Sequence, residues 1–204
     1  MWHVDVSVSM YLWFVIFSGN STGNRTIKFH NVHGENVKLL NDNTLVKREN
    51  SYCKAICFSS RPIAINEKVL IRFVETSSIW GGVLSFGFTN IDPGSFRGSD
   101  LPQSASPDLK KKQGCWVETL EKRYAVVNNV LHFYVTGNGD VMYGINGKDF
   151  GLRFSGVSTV FPLGGFLDKY GNTIGIEFVN HGKHPGNIDF VFINILLLLL
   201  GNTI

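Results

Sequence analysis

The chain has 204 residues, of which 17% are charged and 13% aromatic, with 16 Phe and a formal net charge of +3. It is too apolar for a disordered polypeptide and too weakly basic for a nucleic-acid binder defined by bulk charge. Three cysteines are too few for a disulfide framework, and for the zinc sites of a RING-type module, each of which takes four Cys or His ligands.

Charge is distributed unevenly. One charged side chain, Asp5, occurs in residues 1–24 and one, Asp189, in 184–204. Between Phe29 and Val179 sixteen basic residues face fourteen acidic ones, the balance of an ordinary folded domain. The chain therefore divides into an apolar extension over 1–28, a domain over 29–179 and an apolar tail over 180–204. Met10 to Phe17 forms an apolar run resembling the core of a signal peptide, without the usual basic leader. Two acceptor triplets for N-glycosylation follow, at Asn20 and Asn24. In the tail, the apolar stretch Phe190 to Leu200 falls short of the ~20 residues that a membrane-spanning helix needs. Signal-like segment, membrane tether and artefact of gene assembly or truncation all stay open for the two ends.

Within the domain the apolar period is two. Asn36–Leu40 and Thr44–Arg48 are predicted strands joined by Asn41-Asp42-Asn43. His30 and His33 lie near a strand start, in a structural hydrogen-bonding role. Cys53 and Cys57 are placed on one strand, alternating with Tyr52, Ile56 and Phe58. Residues four apart there stand roughly 13 Å from one another, too far for a disulfide or a shared zinc, so both read as buried thiols. Lys68–Glu75 puts Val69, Ile71 and Phe73 on one face, and Val83–Thr89 does the same with Leu84, Phe86 and Phe88. Between them, Trp80-Gly81-Gly82 forms a loop in which Trp80 is either an interaction anchor or a lid folded back on the core.

Asn90–Gln113, with three prolines, is the longest irregular stretch, and long loops tend to carry function or mobility. It contains Lys110-Lys111-Lys112, either a solvated run or a contact for a membrane surface or phosphoinositide. Cys115, beside Trp116, reads as a buried thiol. Val130–Thr136 and Asp140–Ile145 flank Gly137-Asn138-Gly139, and Asn146-Gly147 leads to Phe150–Phe154, both strong hairpin signals. Ile174–Val179 closes the set. Many short strands and no sustained helical stripe predict an all-β fold, an antiparallel β-sandwich. No nucleophile elbow, phosphate loop or metal-ligand cluster is present, so no catalytic residue, metal or cofactor is assigned.

Residues 29–179 resemble the neuralized homology repeat of Neuralized-type ubiquitin ligases. The resemblance is carried by Phe29-His30, His33-Gly34, Asn36, Cys53-x-Ala55-Ile56-x-Phe58-Ser59-x-Arg61-Pro62 and Ile65-Asn66-Glu67. It continues through Trp80-x-Gly82, Phe86-Gly87-Phe88-Thr89, Asp92-Pro93, Leu101-Pro102 and Pro107-Asp108-Leu109. Gly114-x-Trp116, Tyr143-x-Ile145-Asn146 and Asp168-x-Tyr170-Gly171 complete it. Ser104-Ala105-Ser106, Cys115 and Gly164-Gly165 depart from the pattern at positions where aromatic or Cys residues are usual, which is expected to loosen local packing or alter the loop surface.

The resemblance implies an SPRY-like, jelly-roll-like sandwich that recognises cytoplasmic tails of membrane proteins, such as the Notch ligands Delta and Serrate. Ubiquitin machinery would come from a partner or another domain, since no RING or SOCS box is recognisable after Val179, and the location would be cytoplasmic, at the inner face of the plasma membrane. Trp80, Gly81, Gly82 and Tyr170 are the expected peptide-binding residues. The alternative is a secreted or luminal lectin-like sandwich glycosylated at Asn20 or Asn24.

Overall fold

The computed structural model describes residues 26–179; the apolar run at 10–17, the triplets at Asn20 and Asn24 and the tail from 180 onward lie outside the described residues. Twelve strands form, all in antiparallel ladders: β1 (Phe29–His33), β2 (Val37–Leu40), β3 (Leu45–Arg48), β4 (Ile56–Ile63), β5 (Val69–Thr76), β6 (Ser85–Thr89), β7 (Cys115–Thr119), β8 (Val130–Val135), β9 (Val141–Ile145), β10 (Lys148–Phe154), β11 (Leu163–Asp168) and β12 (Thr173–Phe178). Five make one sheet in the order β1-β4-β11-β6-β7, and seven make the other in the order β10-β9-β8-β5-β12-β3-β2. The expected antiparallel sandwich is the observed fold.

The alternating faces explain the packing. Val69, Ile71 and Phe73 of β5 and Leu131, Phe133 and Val135 of β8 point between the sheets, where they meet Phe86 and Phe88 of β6. The Phe86 ring lies 5.0 Å from that of Phe133, so the sheets interlock through aromatic side chains. On β6 the intervening Gly87 lets β7 approach: a Cβ there would sit 1.9 Å from the Trp116 carbonyl oxygen.

One expectation needs correction. Tyr52 to Phe58 is not one strand: β4 starts at Ile56, and Lys54 before it adopts φ 54°. Cys53 and Cys57 are both buried free thiols, but Tyr52 swings outward and stays exposed. Asn90–Gln113, expected to carry function or mobility, is a surface stretch but one fastened to the sheet beneath it. It forms three single-turn 3-10 helices and covers the outer face of the five-stranded sheet. There Leu101, Ala105 and Leu109 bury against Ile56, Phe58 and Phe166, and Phe96 stacks on Phe58 with centroids 5.8 Å apart. Burial of this kind is worth about 1.5–3 kcal/mol per large side chain, which fastens the segment down.

The departures from the repeat's pattern are absorbed locally. Ala105 is fully buried, and Cys115 lies in the same apolar cluster. The amide of Gly165 donates to Ser59 Oγ at 3.0 Å.

Candidate functional site

Three connections meet at one end of the sandwich. The β3–β4 loop brings Tyr52, the β5–β6 loop brings Ile79 to Gly82, and the β11–β12 turn brings Tyr170. Tyr52 is central, its ring 5.3 Å from that of Trp80 and 5.7 Å, edge-on, from that of Tyr170. Trp80 keeps 43% of its surface exposed and Ile79 82%. Trp80 therefore leans on another surface aromatic and does not close over the core. A half-exposed indole set against a neighbouring ring has lost rotamer freedom before any partner arrives, which favours binding.

Glycines set the shape of this surface. Gly82 has φ 85°, and a Cβ there would lie 2.6 Å from Tyr170 Cδ1. Gly171 has φ 61°, and its Cβ would lie 1.9 Å from the Gly81 carbonyl oxygen. The β5–β6 loop and the β11–β12 turn thus touch through backbone that only glycine permits. Gly81 differs, since a Cβ on it would have nothing within 4 Å. Of the expected residues, then, Gly82 lies against Tyr170 and Trp80 joins them through the Tyr52 ring, while a Cβ on Gly81 would open to solvent.

Beneath the rings lies a buried polar layer. Arg48, at the end of β3, donates to the carbonyl oxygens of Ser51, Gly171 and Thr173, the last at 3.4 Å. Its acceptors neighbour Tyr52 on one loop and Tyr170 on the other, and Gly171 N–H donates to the Tyr52 carbonyl at 3.1 Å. Burial lowers the pKa of Arg48, a shift that nearby Asp168 opposes. Asp168 is wholly buried; its Oδ2 accepts the Ala105 amide at 2.7 Å, and its Oδ1 has no hydrogen-bond partner among the described residues. Burial pushes its carboxyl up to about 6, against the opposing pull of the Ala105 amide, Lys169 and Arg48. Lys169, also wholly buried, donates to the Ala55 carbonyl at 3.2 Å and to Cys57 Sγ at 3.5 Å. Burial lowers the Lys169 pKa and raises that of the Cys57 thiol.

Sequence reasoning missed Tyr52 and Arg48. Tyr52 looked like one of an alternating core set, and only the turn at Lys54 sends it outward. Arg48 bonds to carbonyls of Gly171 and Thr173 more than 120 positions away, for which a sequence gives no pattern.

Other expected features sit elsewhere. Lys110 pairs with Glu118, and Lys112 lies 4.5 Å over the Phe96 ring. His30 Nδ1 accepts the Val32 amide at 2.9 Å, and His33 Nδ1 meets the Gly34 carbonyl at 2.9 Å. Among the described residues no three His, Cys, Asp or Glu side chains are grouped to hold a metal. No described helix is long and apolar enough to cross a membrane.

The fold is a β-sandwich of the SPRY type. The SPRY domain of human HERC1 superposes with a TM-score of 0.54 at 10% identity, covering 76% of this chain and 99% of that one. The family model for Neuralized matches residues 29–180, and the chain belongs to that family. Protein neuralized of Drosophila melanogaster is 44% identical over 154 residues, which cover 76% of this chain and 20% of that protein. Human E3 ubiquitin-protein ligase NEURL1B is 34% identical over 153 residues, 74% of this chain and 28% of its own length. This chain thus spans less than a third of those two relatives. The crystal structure of the Drosophila melanogaster neuralized-nhr1 domain superposes with a TM-score of 0.73 at 44% identity, covering 76% of this chain and 98% of that one. That crystallised chain is almost entirely the matched region.

Proposed function

We propose that this domain is the substrate-recognition part of a Neuralized-type E3 ubiquitin ligase, acting in the cytoplasm at the inner face of the plasma membrane. Its ligand is a short segment from the cytoplasmic tail of a membrane protein, of the kind carried by the Notch ligands Delta and Serrate. Ubiquitin transfer comes from a partner or a further domain. The observation that supports this reading is the half-exposed Trp80 set against Tyr52. An apolar side chain of the peptide would lie on these rings, and the open backbone at Gly81 would meet the peptide main chain.

Purified domain is titrated with overlapping peptides tiling the Delta tail. Trp80→Ala is expected to weaken binding by ~2–4 kcal/mol, about 30-fold to 1,000-fold, as for a buried aromatic anchor. Gly81→Glu, whose Cβ would meet nothing within 4 Å, is expected to block binding with the fold intact. Gly82→Glu also abolishes binding, but through strain against Tyr170, so it distorts the site along with its surface. Wild-type affinity in both Trp80→Ala and Gly81→Glu would sink the reading.

A further inference from the structure

The β7–β8 connection is hung on both sides of the Trp80 loop. The Leu120 amide donates to the Leu84 carbonyl, just after that loop, at 2.9 Å. The Asn128 amide donates to the Phe73 carbonyl, in the strand that leads into it, at 2.8 Å. Between these two fastenings Val126 and Val127 are exposed. Lys122 and Arg123 precede them on a single 3-10 turn, both exposed.

Topology adds a third cation that is distant in sequence. The Asn146 amide donates to the Val130 carbonyl at 2.8 Å, which sets the β9–β10 turn and exposed Lys148 beside the same connection. The Tyr124 and Phe150 rings stand 5.1 Å apart. Arg123 lies 4.7 Å over Tyr124, and Lys148 lies 5.9 Å over Phe150. Neighbouring acids are already engaged, Glu121 by Arg153 at 3.1 Å and Asp149 by His132 at 2.7 Å and Lys68 at 3.5 Å. Lys122, Arg123 and Lys148 have no carboxylate partner among the described residues. The sequential run Lys110–Lys112 is the less available of the two basic clusters, because Lys110 is paired with Glu118.

Cations held against aromatic rings have given up rotamer freedom yet keep their charge toward solvent. Three charges fall below the 4–8 typical of a polybasic lipid site. They adjoin exposed Val126 and Val127 on a connection fastened to Phe73 and Leu84 on either side of the Trp80 loop, which suits an extended chain with an apolar residue and acidic neighbours. We propose that the Trp80 site continues across Val126 and Val127 onto Lys122, Arg123 and Lys148, and that its ligand is a peptide whose acidic residues flank the apolar residue held at Trp80. This rests on the reading of the Trp80 surface as a peptide site.

The test uses the full chain with three probes: the tail peptides, an aspartate-rich decapeptide and phosphatidylserine vesicles. The triple variant K122E/R123E/K148E is expected to bind the tail peptide about tenfold more weakly at low ionic strength, as a few exposed ion pairs allow. It also loses the salt dependence that the wild type shows, while melting unchanged. Lys122→Gln with Lys148→Gln gives a smaller loss in the same direction. The decapeptide shifts the amide resonances of Lys122, Arg123 and Lys148 in the wild type and in Trp80→Ala alike. If the triple variant binds the tail peptide like the wild type, the charge proposal is overturned and the Trp80 reading stands. Loss of vesicle binding alone would assign the cluster to a membrane surface and overturn the peptide proposal. Failure of every tail peptide to bind the wild type would remove the Trp80 reading, and this extension with it.

Discussion

Replacing Arg48 by Met keeps the length and apolar stem of the side chain and deletes its donors. Three backbone carbonyls, those of Ser51, Gly171 and Thr173, then lose the group that ties the β3–β4 loop to the β11–β12 turn. The bond to Thr173, at 3.4 Å, is long and contributes little. The other two are charge-assisted and carry ~1.5 kcal/mol each, so the loss is about 3 kcal/mol. For a domain of this size that lowers the melting temperature by roughly 6–12 °C. The larger effect is local, because Tyr52 and Tyr170 are placed by the same two segments. With 5-fluorotryptophan in the 26–179 domain, the Trp80 signal is expected to move and broaden while that of Trp116 stays in place. Arg48→Lys, which keeps the charge but not the fork, should melt between the two and retain part of the tail-peptide affinity. A Met variant that melts within 2 °C of wild type, with an unmoved Trp80 signal, would refute the claim that Arg48 holds the two loops together.

Asp168 gives a pH signature. Its carboxyl is raised from 3.8 to about 6 in the folded chain, so the folded state holds the proton more tightly than the unfolded one. Its contribution is fully present below pH ~4 and is lost as pH rises through ~6, a swing of about 3 kcal/mol for a shift of some two units. Urea unfolding of Asp168→Asn, which stays neutral, should therefore gain on the wild type between pH 4 and 7; parallel profiles across that window would show that the carboxyl is not held neutral. At Gly87, Ala places its Cβ against the backbone of Trp116, which cannot move without breaking the β6–β7 ladder. A loss of about 3 kcal/mol or failure to fold is expected, and an unshifted denaturation midpoint would contradict the close approach of the two strands.

Much of the sandwich was legible because its signals are local. Asn41, Asp42 and Asn43 all take positive φ, and so do Gly139, Asn146 and Gly147, as their types and positions suggested. Strands β5 and β8 carry clean alternation. Strand β11 was not foreseen, because Gly164 and Gly165 leave it without an apolar period, although its six residues are all buried. The binding end was half legible. Trp80, Gly82 and Tyr170 belong to recognisable motifs, but what holds them does not. Arg48 reaches across the chain to carbonyls, and the Lys122–Arg123–Lys148 cluster exists only once β9 has paired with β8. The longest loop was legible only in part because its length, rich in Pro, Gly and Ser, hides the few side chains, Leu101, Ala105 and Leu109, that fasten it down.

That fastening decides where the domain can be altered. With 90–113 acting as a roof over the five-stranded sheet, the described residues form three layers, the roof and the two sheets. The longest connection is thus a poor place for an inserted tag, a cleavage site or a fused partner, since added chain there would lift apolar cover from Phe58 and Phe166. The β8–β9 hairpin is the better place. Gly137 and Asn138 are exposed, and a Cβ at Gly137 would meet nothing within 4 Å. Because β9 runs from that hairpin to the Asn146–Gly147 turn, the hairpin lies at the far end of the sandwich from Trp80. A label or tether fixed there would leave the aromatic end facing freely into solution.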